Sequence, residues 1–105
     1  MNSQFKKGVL EICVLAVIGR EDVYGYDLVQ KISECVDITE GTIYPILSRF
    51  KQEGLVRTTL EESQAGPARK YYELTARGMA LLSRMNEHWD TIKKGADVIR
   101  QESGR

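Results

Sequence analysis

What this chain has little of excludes most chemistry. It has one histidine, His88, and two cysteines, Cys13 and Cys35, in 105 residues. The cysteines are far apart in sequence and neither belongs to a Cys-x-x-Cys pair, so a zinc centre would be short of ligands at the right spacing. Both lie in apolar helical stretches and read as reduced core thiols, with a redox sensor as the alternative. There is no Gly-rich phosphate loop and no nucleophile elbow. The one adjacent acidic pair in a strand, Glu61-Glu62, has no partner chemistry and reads as a solvated strand end. The sequence therefore predicts no enzyme, no metal and no cofactor. No uncharged apolar run reaches the roughly 18 residues of a membrane span. Lys6 and Lys7 precede an apolar stretch, but Glu11 interrupts it and no small-residue cleavage site follows. The expectation is a cytoplasmic protein without a membrane segment. Net charge is lacking too: 15 basic and 15 acidic residues cancel. Affinity for random nucleic acid should accordingly be modest and salt-sensitive.

Against that background one stretch stands out, Thr39 to Gly54. Thr39 suits an N-cap, its hydroxyl accepting from a free N–H of the first turn. Glu40 follows where the helix dipole favours an acid. Gly54 suits the left-handed residue that closes a helix. Ile43, Ile46, Leu47 and Phe50 recur at three- and four-residue spacing as one apolar stripe. The opposite face carries Gly41, Tyr44, Pro45, Ser48 and Gln52, with Arg49 and Lys51 toward its flanks. Such a face is small and nearly uncharged at one end and turns basic at the other, unlike a plain solvent face. Pro45 forfeits a backbone hydrogen bond within the helix. By itself it reads as a tolerated early-helix proline.

The next residues give this helix a setting. Leu55 to Glu62 is rich in β-branched residues and reads as a strand. Ser63 to Ala68, containing Gly66 and Pro67, is a turn by composition. Arg69 to Leu74 is a second strand, with Tyr72 and Leu74 on the core side and Arg69 and Tyr71 on the other. A helix, a hairpin and a new helix starting at the Thr75 cap form the order of a winged helix-turn-helix. That fold places the helix in the DNA major groove and the hairpin tip along the backbone. Upstream, Tyr24 to Val36 reads as the first helix of the pair, after a Gly19–Asp22 loop whose Asp22 is a candidate cap. Leu28, Val29, Ile32 and Cys35 should face inward. A short link, Val36 to Ile38, joins it to the second helix.

The chain ends separate from this unit. A helix starting near Phe5, which Ser3-Gln4 could cap, is apolar almost all round through Val9 to Ile18 and so needs cover on every side. From Thr75 to about Arg100 a last helix carries Leu82, Met85, Trp89, Ile92, Ala96 and Ile99 at alternating three- and four-residue steps. That is the seam of a helix packed on another helix. No helix in this chain is left to fill it, so a homodimer is inferred, with Phe5 and Val9 of the first helix joining the same interface. Residues Gln101 to Arg105 should fray. The expected fold class is mainly α with a small β-hairpin. Residues 1–74 form the winged helix-turn-helix domain, and residues 75–105 the dimerisation helix and a short tail.

Tyr24-Gly25-Tyr26-Asp27-Leu28, Gly41-Thr42-Ile43-Tyr44-Pro45, Gly54-Leu55-Val56, Gly66-Pro67 followed by Arg69-Lys70-Tyr71-Tyr72, and Leu74-Thr75 to Gly78 occur in this order. Together they resemble the PadR-like family of transcriptional regulators, over nearly the whole chain. The resemblance implies a dimeric repressor binding an inverted-repeat operator in double-stranded DNA. Its DNA-binding residues would be Thr39, Thr42, Tyr44, Pro45, Ser48 and Arg49 on the helix. Gly66, Arg69 and Lys70 would serve on the hairpin, and the Tyr44 hydroxyl would meet a phosphate. Some members resemble multidrug sensors in which a dimer-centre tryptophan stacks on flat ligands. By that analogy Phe5, Met85, His88, Trp89 and Ile92 could line a pocket for a small planar aromatic effector. The alternative is a winged helix used only to bind another protein, which the neutral charge keeps open.

Overall fold

The computed structural model describes residues 3–103. Four helices and three short strands follow in the order α1 (Ser3–Arg20), β1 (Val23–Tyr24), α2 (Gly25–Cys35), α3 (Glu40–Gln52), β2 (Val56–Ser63), β3 (Gly66–Leu74) and α4 (Ala76–Ser103). The strands form one antiparallel sheet in the order β1-β3-β2. This is a winged helix-turn-helix, mainly helical with a small sheet, as the sequence predicts.

Apolar side chains from every major element meet in one core. Leu10, Val14, Leu15 and Ile18 of α1 pack with Leu28, Val29 and Ile32 of α2, and with Ile43, Ile46, Leu47 and Phe50 of α3. Leu55 and Val56 close it from β2, and Tyr72 and Leu74 from β3. The stripe read from α3 is thus the buried stripe, and Tyr72 and Leu74 occupy the core side of the hairpin. Leu81, Leu82 and Met85 of α4 rest half-buried on the edge of this cluster. Leu82 and Met85 therefore serve their own domain as well as any seam.

Two junctions set the geometry. Gly54 takes φ +76°, the left-handed conformation that costs glycine least. There the N–H of Gly54 reaches the Lys51 carbonyl at 3.1 Å and that of Leu55 reaches the Phe50 carbonyl at 2.9 Å, closing α3 as a Schellman turn. At the start of α4, the Thr75 hydroxyl accepts from the Gly78 N–H at 3.0 Å, the expected cap. The same hydroxyl lies 2.7 Å from the Gly54 carbonyl, and the Thr75 N–H reaches the Leu55 carbonyl at 3.1 Å. The end of α3 and the start of α4 are pinned to one another.

Several local expectations need correction. Tyr24 is not helical; with Val23 it forms β1, paired with Tyr71 and Tyr72 of β3. α1 runs on to Arg20, so the loop before β1 is shorter than expected. Asp22 caps no helix. It lies beside Glu73, where loss of water and then that neighbouring acid push its carboxyl upward. Glu73 itself is held below the usual range by Arg57, which donates to one of its oxygens at 2.5 and 2.9 Å. Thr39 occupies the N-cap position of α3 but makes no side-chain cap bond; its hydroxyl is 3.4 Å from that of Thr42. Cys35 is exposed rather than inward, because α2 ends there. The hairpin turn is tighter than its composition suggests: β3 already begins at Gly66, opposite Ser63, leaving Gln64 and Ala65 between them. α4 continues to Ser103 instead of fraying at Gln101. Ser3 is inside α1, so any cap there falls on residues outside those described.

Beyond the core, α4 is a projecting rod. Its 28 residues span about 42 Å at 1.5 Å per residue, in a molecule measuring 58 × 28 × 20 Å. From Asn86 to Glu102 every residue is exposed. Among the described residues, no helix is long and apolar enough to cross a membrane.

Candidate nucleic-acid interface

Burying Ile43, Ile46, Leu47 and Phe50 decides what α3 shows to solvent. Gly41, Tyr44, Pro45, Ser48, Lys51 and Gln52 are exposed, as is Thr39 just before the helix, while Thr42 and Arg49 are half-buried. Pro45 lies inside the helix, its ring standing where an N–H would otherwise reach the Gly41 carbonyl. The N-terminal half of the face is shallow, so a second backbone can approach closely.

Tyr44, 39 % exposed, does not project freely. A Cβ built on Gly25 would stand 3.6 Å from its Cε1 and 3.7 Å from its hydroxyl, so the Tyr44 ring lies over the first turn of α2. Partial burial, then Glu40 and Tyr24, raise its pKa above the ordinary value. Its phenol therefore stays protonated and able to donate.

The five tyrosines of the chain gather around this point. The Tyr24 ring centroid is 6.2 Å from that of Tyr26 and 5.9 Å from that of Tyr71. Tyr44 is near enough to Tyr72 to raise the latter's pKa, after the larger effect of burial. The Arg69 guanidinium sits 5.0 Å from the centre of the Tyr24 ring, a cation–π distance. Tyr44 and Tyr72 thus meet beside Gly25, while Tyr24 carries Arg69 on its ring at the neighbouring wing. Tyr24, expected inside the first helix of the pair, joins this group through its pairing with Tyr71. The available signal was the aromatic character of Tyr24 and Tyr26 and of Tyr71 and Tyr72, but their meeting depends on the pairing of β1 with β3.

The cations divide into two groups. Arg57 is bound to Glu73, and Arg49 is turned to Glu11 of α1, with Glu53 at 3.3 Å and the Phe50 ring centre at 5.0 Å from its guanidinium carbon. Arg69 and Lys70, by contrast, have no carboxylate in salt-bridge contact among the described residues, and both are exposed along with Gly66. Of the expected DNA-binding set, the structure brings Tyr44, Pro45 and Ser48 onto one open face. Arg69 lies over the Tyr24 ring on the wing. Arg49 is drawn sideways toward α1.

The other expected cluster is not assembled in one copy. Phe5 is 65 % exposed, Trp89 44 %, Ile92 69 % and Ile99 65 %; Ala96 and His88 are exposed and Val9 is half-buried. The more enclosed cleft lies elsewhere, between α1, β1 and α2.

A helix-turn-helix followed by an antiparallel wing defines the class of winged-helix regulators. The model of the transcriptional regulator PadR-like family matches residues 14–84, and this chain belongs to that family. It is 40 % identical to a PadR-like transcriptional regulator of known structure from Bacillus cereus, with a TM-score of 0.85, covering 94 % of this chain and 98 % of that one. A Streptococcus transcriptional regulator is 38 % identical with a TM-score of 0.86, covering 94 % and 99 %. The transcriptional regulator YqjI of Escherichia coli is 28 % identical over 94 residues, which are 86 % of this chain but only 44 % of YqjI. The chain thus spans under half the length of that relative.

Proposed function

We propose that this chain is a sequence-specific DNA-binding repressor that acts as a homodimer on an inverted-repeat operator. The observation that carries the reading is the open α3 face beside a wing whose exposed Arg69 and Lys70 have no carboxylate in salt-bridge contact among the described residues. Such a surface fits a groove plus its flanking phosphates. Thr39, Thr42, Tyr44, Pro45 and Ser48 would face the groove, with the neutral Tyr44 phenol donating to a phosphate. Arg69 and Lys70 would hold the next stretch of backbone beside Gly66. Phosphate contacts of this kind set position, and base edges set sequence. Arg49 would join them only by leaving Glu11.

Dimerisation is supported by α4. Trp89, Ile92, Ala96 and Ile99 lie along a rod that its own core does not cover, and Phe5 and Val9 add to the uncovered surface. A second copy supplies the missing helix and places two α3 faces on one duplex, as an inverted repeat requires. Two copies would also bring Phe5, Met85, His88, Trp89 and Ile92 around one central space. A planar aromatic effector stacked on Trp89 there would release the operator.

Selection of bound duplexes from a random pool tests the reading. The expected winners share an inverted repeat, and their affinity falls steeply with salt. A protein that enriches no sequence and ignores duplex DNA at low ionic strength would instead be a protein-binding winged helix, which its zero net charge keeps open.

A further inference from the structure

Cys13 and Cys35, 22 residues apart in sequence, line the same cleft. It lies between α1 and α2, has a volume of about 660 Å³, and is floored by Val17, Val23 and Ile32. Glu21 to Tyr24 connect the two helices. Arg20 and Asp27 mark the end of the cleft nearest that connection. Cys13 is seven residues before Arg20 and Cys35 eight after Asp27, about 11 and 12 Å along their helices. Both thiols border this one cleft. Their electrostatic coupling agrees: burial, and then the neighbouring Cys35, push the Cys13 thiol up. Cys35 is exposed and Cys13 half-buried, so the pair has an accessible member and a sheltered one.

We propose that Cys13 and Cys35 form a peroxide-reactive dithiol that closes into an intramolecular disulfide across the α1–α2 cleft. Cys35, the accessible thiol, attacks hydrogen peroxide as its thiolate. The O–O bond breaks, one oxygen stays on sulfur as sulfenic acid, and the other leaves as water with the thiol proton. Cys13 then attacks the Cys35 sulfur, the S–S bond forms, and the sulfenic oxygen departs as a second water carrying the Cys13 proton. The two sulfurs lose two electrons in total and the peroxide gains them. The bond fastens α1 to the last residue of α2, immediately before the Val36–Ile38 link to α3. On the DNA-binding reading, on which this consequence rests, the bridged protein holds α3 at a different angle and binds its operator more weakly.

Treatment of the purified full chain with hydrogen peroxide, followed by intact-mass and non-reducing peptide analysis, tests the site without DNA. The expected product has lost two hydrogens and yields a crosslinked peptide joining residues 13 and 35. Cys13→Ser should leave a sulfenic acid on Cys35 that dimedone traps, and dithiothreitol should reverse the wild-type bridge. A Cys35–Cys35 link between two copies, or sulfinic acid on Cys35 with Cys13 still reduced, would overturn the proposal. With a selected duplex, at least a fivefold loss of affinity on bridging is expected, restored on reduction. Unchanged affinity of fully bridged protein would refute the regulatory consequence. Failure of the reduced protein to bind any duplex would refute the DNA-binding reading and leave the mass result to judge the dithiol.

Discussion

Replacing Gly78 by alanine sets helix propensity against packing. Gly78 is the third residue of α4, where alanine is preferred over glycine by about 1 kcal/mol in a helix interior. Propensity alone therefore predicts a more stable protein. The structure predicts the reverse. A Cβ on Gly78 would stand 2.1 Å from the Leu55 carbonyl oxygen, 3.1 Å from its carbon and 3.1 Å from Leu74 Cδ2. Relieving the first contact takes a shift of roughly 1 Å. The obstacle is backbone, so no rotamer change avoids it. The same carbonyl receives the Thr75 N–H, and the Thr75 hydroxyl caps the Gly78 N–H. Backing α4 away from Leu55 stretches both bonds. Overpacking of this kind costs about 1–3 kcal/mol and a weakened cap about 0.5–2 kcal/mol. Set against the propensity gain, the net loss is about 2–3 kcal/mol. At some 4–8 °C per kcal/mol for a domain near this size, the Tm should fall by about 10–20 °C. Gly95→Ala is the internal control, since nothing lies within 4 Å of its added methyl; it should gain about 0.5–1 kcal/mol. Thermal unfolding followed by circular dichroism at one fixed protein concentration measures both. If Gly78→Ala melts at or above the wild type, α4 does not meet Leu55 as described.

Other substitutions address the interface and the assembly. Lys70→Ala and Arg69→Ala should each lower operator affinity and reduce the slope of log affinity against log salt by about 1. Mutants with unaltered slopes would take the wing off the phosphates. Ile92→Glu should convert a dimer to a monomer in sedimentation velocity while leaving the fold's circular dichroism intact, because Ile92 is exposed in one copy and touches no core; a persistent dimer would place the interface elsewhere. Tyr72 carries a raised pKa, so the folded state favours its neutral phenol. The associated stability is present below the ordinary tyrosine value near 10 and is lost as pH rises toward and through the folded value. Tyr72→Phe keeps the ring and removes the ionisation, so its urea midpoint should fall less between about pH 9 and 11 than the wild type's; equal falls would assign alkaline unfolding to other groups.

The fold was legible where the signals are local. The α3 stripe, the Gly54 terminus and the Thr75 cap each depend on residues within a few positions of one another. Backbone hydrogen bonding and helical spacing therefore dictate them before any tertiary contact forms. The long α4 helix is equally plain from its regular apolar steps. Composition alone also withheld the ingredients of most catalytic and metal chemistry. Pairing across the sequence had to come from the folded chain. β1 is two residues long, too short for any periodicity, and exists because β3 offers it a free edge. Arg49 reads as a free cation until α1 brings Glu11 to it from 38 residues away. Cys35 has inward spacing on a helical wheel, yet lies open because its helix stops there. Tyr24 and Tyr71 become a stacked pair beside Arg69 only when the sheet sets them side by side. Short-range physics in this chain determines which segments are helices. Only the packing of those segments decides which of their polar groups are already engaged and which remain free for another molecule.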